Sequence, residues 1–389
     1  MKDTSDRIFF SLLYSAVEGD CLPDAEKTYI YENMLPSFLS ISKRHDVAHL
    51  LGYALEKNRL IDNTPELAAK FYEQQMTAIY RYGQIAYETE NIRKVFNEIK
   101  IPFVLLKGAV IREIYPEPWM RTSCDIDVLV HEEDIDTCVR ALCEKLQYTA
   151  EKDRAYHDIS MYSQSGVHLE LHFNILENSE KLDIGLSEVW KYCSATDENS
   201  YEYKMSNEYL VFHIVTHMSY HFVHGGCGIK PFIDLWLLLN KLDFDEDILE
   251  TLLYRCNLSS FFEYAKSLCA VWFDSQSHND ITRAMQEWIL SGGVYGSLEN
   301  KIIAEQRKRG GKLRYIISRI FLPYSFLCVS YPVLKRHKWL LPVCHARRWF
   351  GFIFGGNKRR SMRELYVNSK ISEEQKNQNN LLFSNLGLN

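Results

Sequence analysis

Two aspartates, Asp125 and Asp127, sit two residues apart in the run Arg121-Thr122-Ser123-Cys124-Asp125-Ile126-Asp127-Val128-Leu129-Val130. In an extended strand, successive side chains point to opposite faces. Asp125 and Asp127 then share one face, while Ile126 and Val128 enter the core. Adjacent carboxylates repel and raise each other's pKa, and a cation between them removes that cost. Mg²⁺ (or Mn²⁺) fits such a pair, because it combines a few carboxylates with phosphate oxygens and water. Taken alone, Asp-x-Asp reads more readily as a solvated strand edge, so its company decides.

A second piece is His168-Leu169-Glu170-Leu171-His172. Alternation puts His168, Glu170 and His172 on one face of an otherwise apolar strand. A glutamate there is expensive to bury unpaired. A metal, or a proton-transfer role beside one, accounts for it. A third piece is Lys107-Gly108, directly after the apolar run Phe103-Val104-Leu105-Leu106. Glycine lets backbone N–H groups approach a phosphate, and Lys107 can neutralise its charge. Arg121 adds a planar donor fork suited to phosphate oxygens. Further along, Lys230 follows a glycine-rich turn and opens a helix whose N-terminus favours an anion. Asp234, one turn on, is placed to orient Lys230. His217 and His221 also lie one helical turn apart and share a face. They read as core histidines, as phosphate or acceptor contacts, or as metal ligands.

The elements needed to position these residues follow from hydrophobic periodicity. Residues 1–100 read as an N-terminal helical region, with one long helix from Pro65 to Lys100. Residues 101–200 alternate strands and helices: strands at Phe103–Leu106, Ile126–Val130, Tyr156–Tyr162 and Val167–Phe173, helices at Ala109–Ile114 and Glu132–Leu146. Residues 201–300 return to helices at Asn207–Phe222, Pro231–Leu239, Glu246–Cys256 and Ser259–Phe273. Residues 301–389 form a basic, aromatic C-terminal segment whose polar end, Ser372–Asn389, is expected to fray. The fold class is α+β, a small mixed sheet flanked by N-terminal and C-terminal helical regions.

Composition agrees with a globular chain of several modules: 389 residues, 46% hydrophobic and 25% charged. The net charge of −6 conceals an asymmetry. Residues 301–363 carry 16 Lys/Arg and a single acid, Glu305, which leaves the remainder at −21. The ten cysteines include no CxxC pair and no zinc-finger spacing, which points to free thiols and a cytoplasmic setting. The N-terminus has no secretory signal pattern. No apolar run reaches the ~20 residues of a membrane span, so no transmembrane segment is expected. Ile320–Leu334 comes nearest and is broken by Pro323 and Pro332.

Together, Leu105-Leu106-Lys107-Gly108, Tyr115, Arg121, Asp125-Ile126-Asp127 and Glu170-Leu171-His172-Phe173 resemble a bacterial family of uncharacterised nucleotidyltransferases in the polymerase-β-like superfamily. His217, His221, Gly225-Gly226, Lys230 and Asp234 extend the resemblance, as do Tyr331-Pro332 and Leu341-Pro342, over residues 30–350. The superfamily usually has Gly-Ser or Gly-Gly at the turn where this chain has Gly108-Ala109. The resemblance implies a nucleotidyltransferase core and an in-line displacement at the α-phosphorus of an NTP, ATP first. Asp125, Asp127 and Glu170 would be the catalytic and metal residues. Lys107, Gly108, Arg121, Lys230, His217 and His221 would contact the nucleotide. The first expectation for the acceptor is a small molecule or glycan. The alternatives are tRNA, a protein side chain, or a catalytically inactive nucleotide- or metal-binding module. Residues 301–363 could contact RNA or an anionic membrane surface, making the protein peripheral to that membrane.

Overall fold

Apolar residues at helical spacing, short apolar strands and turn residues build the architecture seen in a computed structural model. It describes residues 2–30, 32–151, 154–294, 296–354 and 358–388; the side chains of 2, 3, 25, 32, 352–354 and 358–361 are not described. Phe352, Phe354 and the Lys358-Arg359-Arg360 run, part of the basic, aromatic segment, therefore have side chains outside the described set.

The fold is α+β, with one seven-stranded mixed sheet between helical regions. The strands are β1 Phe103–Leu105, β2 Asp125–Val130, β3 Thr149–Ala150, β4 Asp158–Tyr162, β5 His168–His172, β6 Cys193–Ala195 and β7 Glu202–Met205. Their spatial order is β3-β4-β5-β2-β1-β7-β6. β1 runs antiparallel to β2, and β2 runs parallel to β5. The two-residue period separates the faces as the sequence requires. Ile126, Val128, Val130, Leu169 and Leu171 pack under the Pro65–Glu98 and Ile135–Leu146 helices, against Ile92, Phe96, Cys138 and Leu142. Val104, Leu106 and Leu129 turn the other way, into the large core of the helical regions.

That large core unites regions the sequence divides at 100 and 201. Phe10, from the Lys2–Glu18 helix, stacks on Trp272 with ring centres 4.1 Å apart. The Asn207–Val223 helix, capped by the Ser206 hydroxyl on the Tyr209 N–H, crosses the same core. Strands β6 and β7 escape sequence reading because they are three and four residues long and carry Ser194, Glu202 and Lys204 rather than an apolar run. Glu202 is fixed instead by Arg93, 3.0 Å away, from the long helix.

The expectation of a frayed tail needs correction. Residues Glu373–Asn385 form a helix that opens with a capping box, Ser372 and Gln375 each bonding the other's backbone. Leu382, Phe383 and Leu386 are buried, and Phe383 packs edge-on against Trp288 and Phe222. A few apolar residues at helical spacing, hidden among Asn and Gln, are enough to dock it. Just before it, Leu327, Cys328, Leu334 and Cys344 make a small separate cluster. Lys312–Ser330 has the length and hydropathy to cross a membrane, which the sequence reading missed. It folds as two helices, Lys312–Ile320 and Tyr324–Ser330, interrupted before Pro323.

Candidate active site

Register assembles the carboxylates. In the β2–β5 ladder Asp127 stands opposite Glu170 and Asp125 opposite His168. All four side chains share the face turned toward the Asn207–Val223 helix. His172 Nε2 lies 3.0 Å from Asp127 Oδ1 and 3.5 Å from Glu170 Oε2. Lys107 Nζ lies 3.7 Å from Asp127 Oδ1. Two groups of ligand atoms could hold a divalent metal, Asp125/His168/Glu170 and Asp127/Glu170/His172, each within 4.8 Å. Glu170 is common to both. The carboxylates named from sequence are thus split between two groups, and each group gains an imidazole.

Electrostatics sort the carboxylates. Burial pushes the Asp125 carboxyl up, and Asp127 and Glu170 push it further. Asp127 is more deeply buried, which alone would raise it. The Lys107 ammonium and the His172 hydrogen bond overcome burial and hold it well below the usual carboxylate range. Burial lowers His172, but its bonds to Asp127 and Glu170 win and raise it to about 9. Lys107 is likewise raised: burial opposes its charge, and Asp127, Glu177, Glu170 and Asp125 outweigh that.

The turn after β1 is strained and closely packed. Lys107 has φ 37° and ψ −105°, a conformation that costs a residue with a Cβ of order 1–3 kcal/mol. A Cβ on Gly108 would meet Arg121 Nη1 at 2.9 Å and Ser123 Cβ at 3.1 Å. Arg112 holds the turn from behind, donating to the Gly108 carbonyl at 2.6 Å and to the Ser123 hydroxyl at 2.9 Å.

Two cations expected to meet phosphate are held by carboxylates. Arg121 donates to both oxygens of buried Asp234, with Nη2 at 2.8 Å, and Tyr115 donates its hydroxyl to the same carboxylate at 2.7 Å. Lys230 donates to Asp46 at 2.7 Å and to the Thr122 carbonyl at 2.9 Å, while the Thr122 hydroxyl donates to Asp46 at 2.8 Å. Asp234 therefore orients Arg121, not Lys230. The two ion pairs clamp Arg121-Thr122, the approach to β2, onto the N-terminal and C-terminal helical regions.

His217 and His221 sit edge to face, 4.3 Å apart, and His217 Nδ1 lies 3.0 Å from Glu177 Oε1. Burial and the Lys107 charge keep His217 neutral, well below its ordinary value, and do the same to His213 one turn earlier. Glu177 also lines a cavity of about 650 Å³ walled by Tyr220, Val223 and Leu258, with Lys181, Lys301 and Lys308 among its lining. Sequence reading missed Glu177, Asp46 and His213. Single acids in loops and a histidine amid apolar residues carry no local pattern, and only the fold brings them here.

A protein-family model described as an uncharacterised nucleotidyltransferase matches residues 33–274. No curated protein and no solved structure matches the chain.

Proposed function

The chain belongs to the uncharacterised nucleotidyltransferase family, and from that premise we propose that it moves the nucleoside monophosphate of an NTP, ATP first, onto a hydroxyl of a small-molecule or glycan acceptor. The observation that carries this reading is the pairing of Asp127 with Glu170 across β2 and β5, with Asp125 and Lys107 beside them. Three carboxylates on one sheet face, beside a lysine on a strained turn, support this reading. The mechanism is that of the polymerase-β-like superfamily.

Asp125, Asp127 and Glu170 would hold Mg²⁺ or Mn²⁺, with His168 beside Asp125 and Glu170, while His172, raised to about 9 by its bonds to Asp127 and Glu170, keeps its proton and steadies those carboxylates. Bound there, the metal would offset the charge of the triphosphate and make the acceptor hydroxyl more acidic. The chain supplies the rest. The Lys107-Gly108 turn offers backbone N–H groups and an ammonium to the phosphates. The acceptor oxygen forms a bond to the α-phosphorus as the bond to the β-phosphate bridging oxygen breaks. Pyrophosphate departs, and the hydroxyl proton passes to Glu170. Arg121, held on Asp234, and Lys230, held on Asp46, position the start of β2. His217, kept neutral, orients Glu177, which lines the cavity, and His221 packs edge to face against His217.

The cavity, about 650 Å³ and in the range for small-molecule sites, is lined by Glu177 but by none of Asp125, Asp127, Glu170 and Lys107, so it would take the body of an acceptor rather than its reacting hydroxyl. Lys301, Ala304, Glu305 and Lys308 share one face of the Leu298–Arg309 helix, and Glu305 is neutralised by Arg309 at 2.8 Å. An acceptor with an apolar body and an anionic group suits that lining. Incubation with α-labelled ATP, Mn²⁺ and fractionated cell metabolites tests the reading. Label should move to a small product with stoichiometric pyrophosphate. Release of phosphate or ADP instead would contradict it.

A further inference from the structure

Residues 312–350 carry eight Lys/Arg and no Asp or Glu. They also expose large apolar side chains that a soluble surface ordinarily hides. Val329 is 81% exposed, Trp339 73% and Leu313 70%, and Phe321, Phe326 and Val343 are each more than half exposed. The Lys312–Ile320 helix shows how this arises. Its inner side is small: Tyr315 is buried and bonds Glu364, half-exposed Arg319 pairs with the same carboxylate at 2.7 Å, and Ile316 packs against the core. Leu313, Ile317 and Ile320, at i, i+4 and i+7, are left facing solvent. Packing has turned the apolar stripe of this helix outward. Leu313, Ile317 and Ile320 form one exposed apolar stripe, and such a stripe marks an interaction site.

Charge selects the occupant. We propose that residues 312–350 dock the protein onto an anionic lipid bilayer. The surface would lie in the interface, with Leu313, Ile317, Val329 and Trp339 among the acyl chains and Arg314, Lys335 and Arg336 at the headgroups. Those three cations make no ion pair among the described residues. RNA could stack on the exposed rings of Phe321, Phe326 and Trp339 but would leave aliphatic Leu313, Ile317 and Val329 in water, whereas a bilayer covers both kinds of side chain. A second copy of the chain would bring like charges together. A span is disfavoured by the break before Pro323 and by Arg314 and Arg319 within the stretch.

Sedimentation of the full chain with vesicles tests this. Vesicles of phosphatidylcholine with about a third phosphatidylglycerol should carry the protein down, and pure phosphatidylcholine should not. Reversing Lys335 and Arg336 to Glu, or changing Leu313 and Trp339 to Ser, should each weaken partitioning at least about tenfold. Mn²⁺–ATP affinity, measured in parallel, should stay unchanged, which shows that the variants fold and separates this claim from the nucleotidyl-transfer reading. The proposal is overturned if anionic vesicles do not bind, or if neither variant pair weakens binding. It is equally overturned if the same side chains prove to hold a dimer or to bind RNA more tightly than lipid, or if the bound protein resists alkaline carbonate extraction.

Discussion

His172 shows how one side chain ties stability to the site. In the folded, metal-free protein it titrates near 9, against 6.5 when unfolded, because it bonds Asp127 and Glu170. A group raised on folding stabilises fully below its unfolded value and stops doing so as pH rises through its folded one. The His172 contribution, on the order of 3 kcal/mol, should therefore be present at pH 6 and gone by pH 10. The lowered Asp127 owes more to the Lys107 ammonium than to this bond, and the part it shares with His172 is the same interaction seen from its other end. Urea titrations of wild type and His172→Gln should diverge at pH 6 and converge above pH 9. A constant gap across that range would contradict the pairing. Gly108 gives a second prediction. Arg121 Nη1 would lie 2.9 Å from a methyl group added there and, pinned on Asp234, cannot retreat cheaply. Gly108→Ala should cost about 1–3 kcal/mol by overpacking and should reduce nucleotide affinity more than a remote change of equal stability cost. Calorimetry of folding and of ATP binding on the same variant reads both.

At the scale of elements, much was legible in the sequence and the failures have physical causes. Period-two alternation around Asp125-Ile126-Asp127 and Leu169-Glu170-Leu171 defined both strands and the face their acids share. The register that sets Asp127 against Glu170 was not legible, because it depends on which strands become neighbours. Strands β6 and β7 are too short and polar to signal themselves, although they complete the sheet beside β1. The partners of Arg121 and Lys230 lie more than a hundred residues away in sequence, so the sequence could show two cations near the site but not their counter-ions. The C-terminal helix failed for a different reason: composition masked it. Phe383→Ala should cost roughly 3–5 kcal/mol, since the ring is wholly buried between Phe222 and Trp288. Thermal melts measure this. A melting temperature unchanged from wild type would restore the frayed tail.

Across the whole molecule, the sheet presents its acids to a helical body made from both ends of the chain. Phe10 on Trp272 joins those ends, and the ion pairs Arg121–Asp234 and Lys230–Asp46 fasten the body to the start of β2. Charge is divided in the same way, with an acidic body and a basic segment at 301–363. On the proposed function, the face of Asp125, Asp127 and Glu170 binds a metal–nucleotide complex. Titration calorimetry with Mn²⁺ and an ATP analogue non-cleavable between the α and β phosphates tests it most directly, using wild type and Asp127→Asn. Wild type should bind only when Mn²⁺ is present, and Asp127→Asn should lose at least about a hundredfold in affinity, ~2.7 kcal/mol, while melting as a folded protein. Equal binding by the two proteins, or binding indifferent to Mn²⁺, would contradict the account.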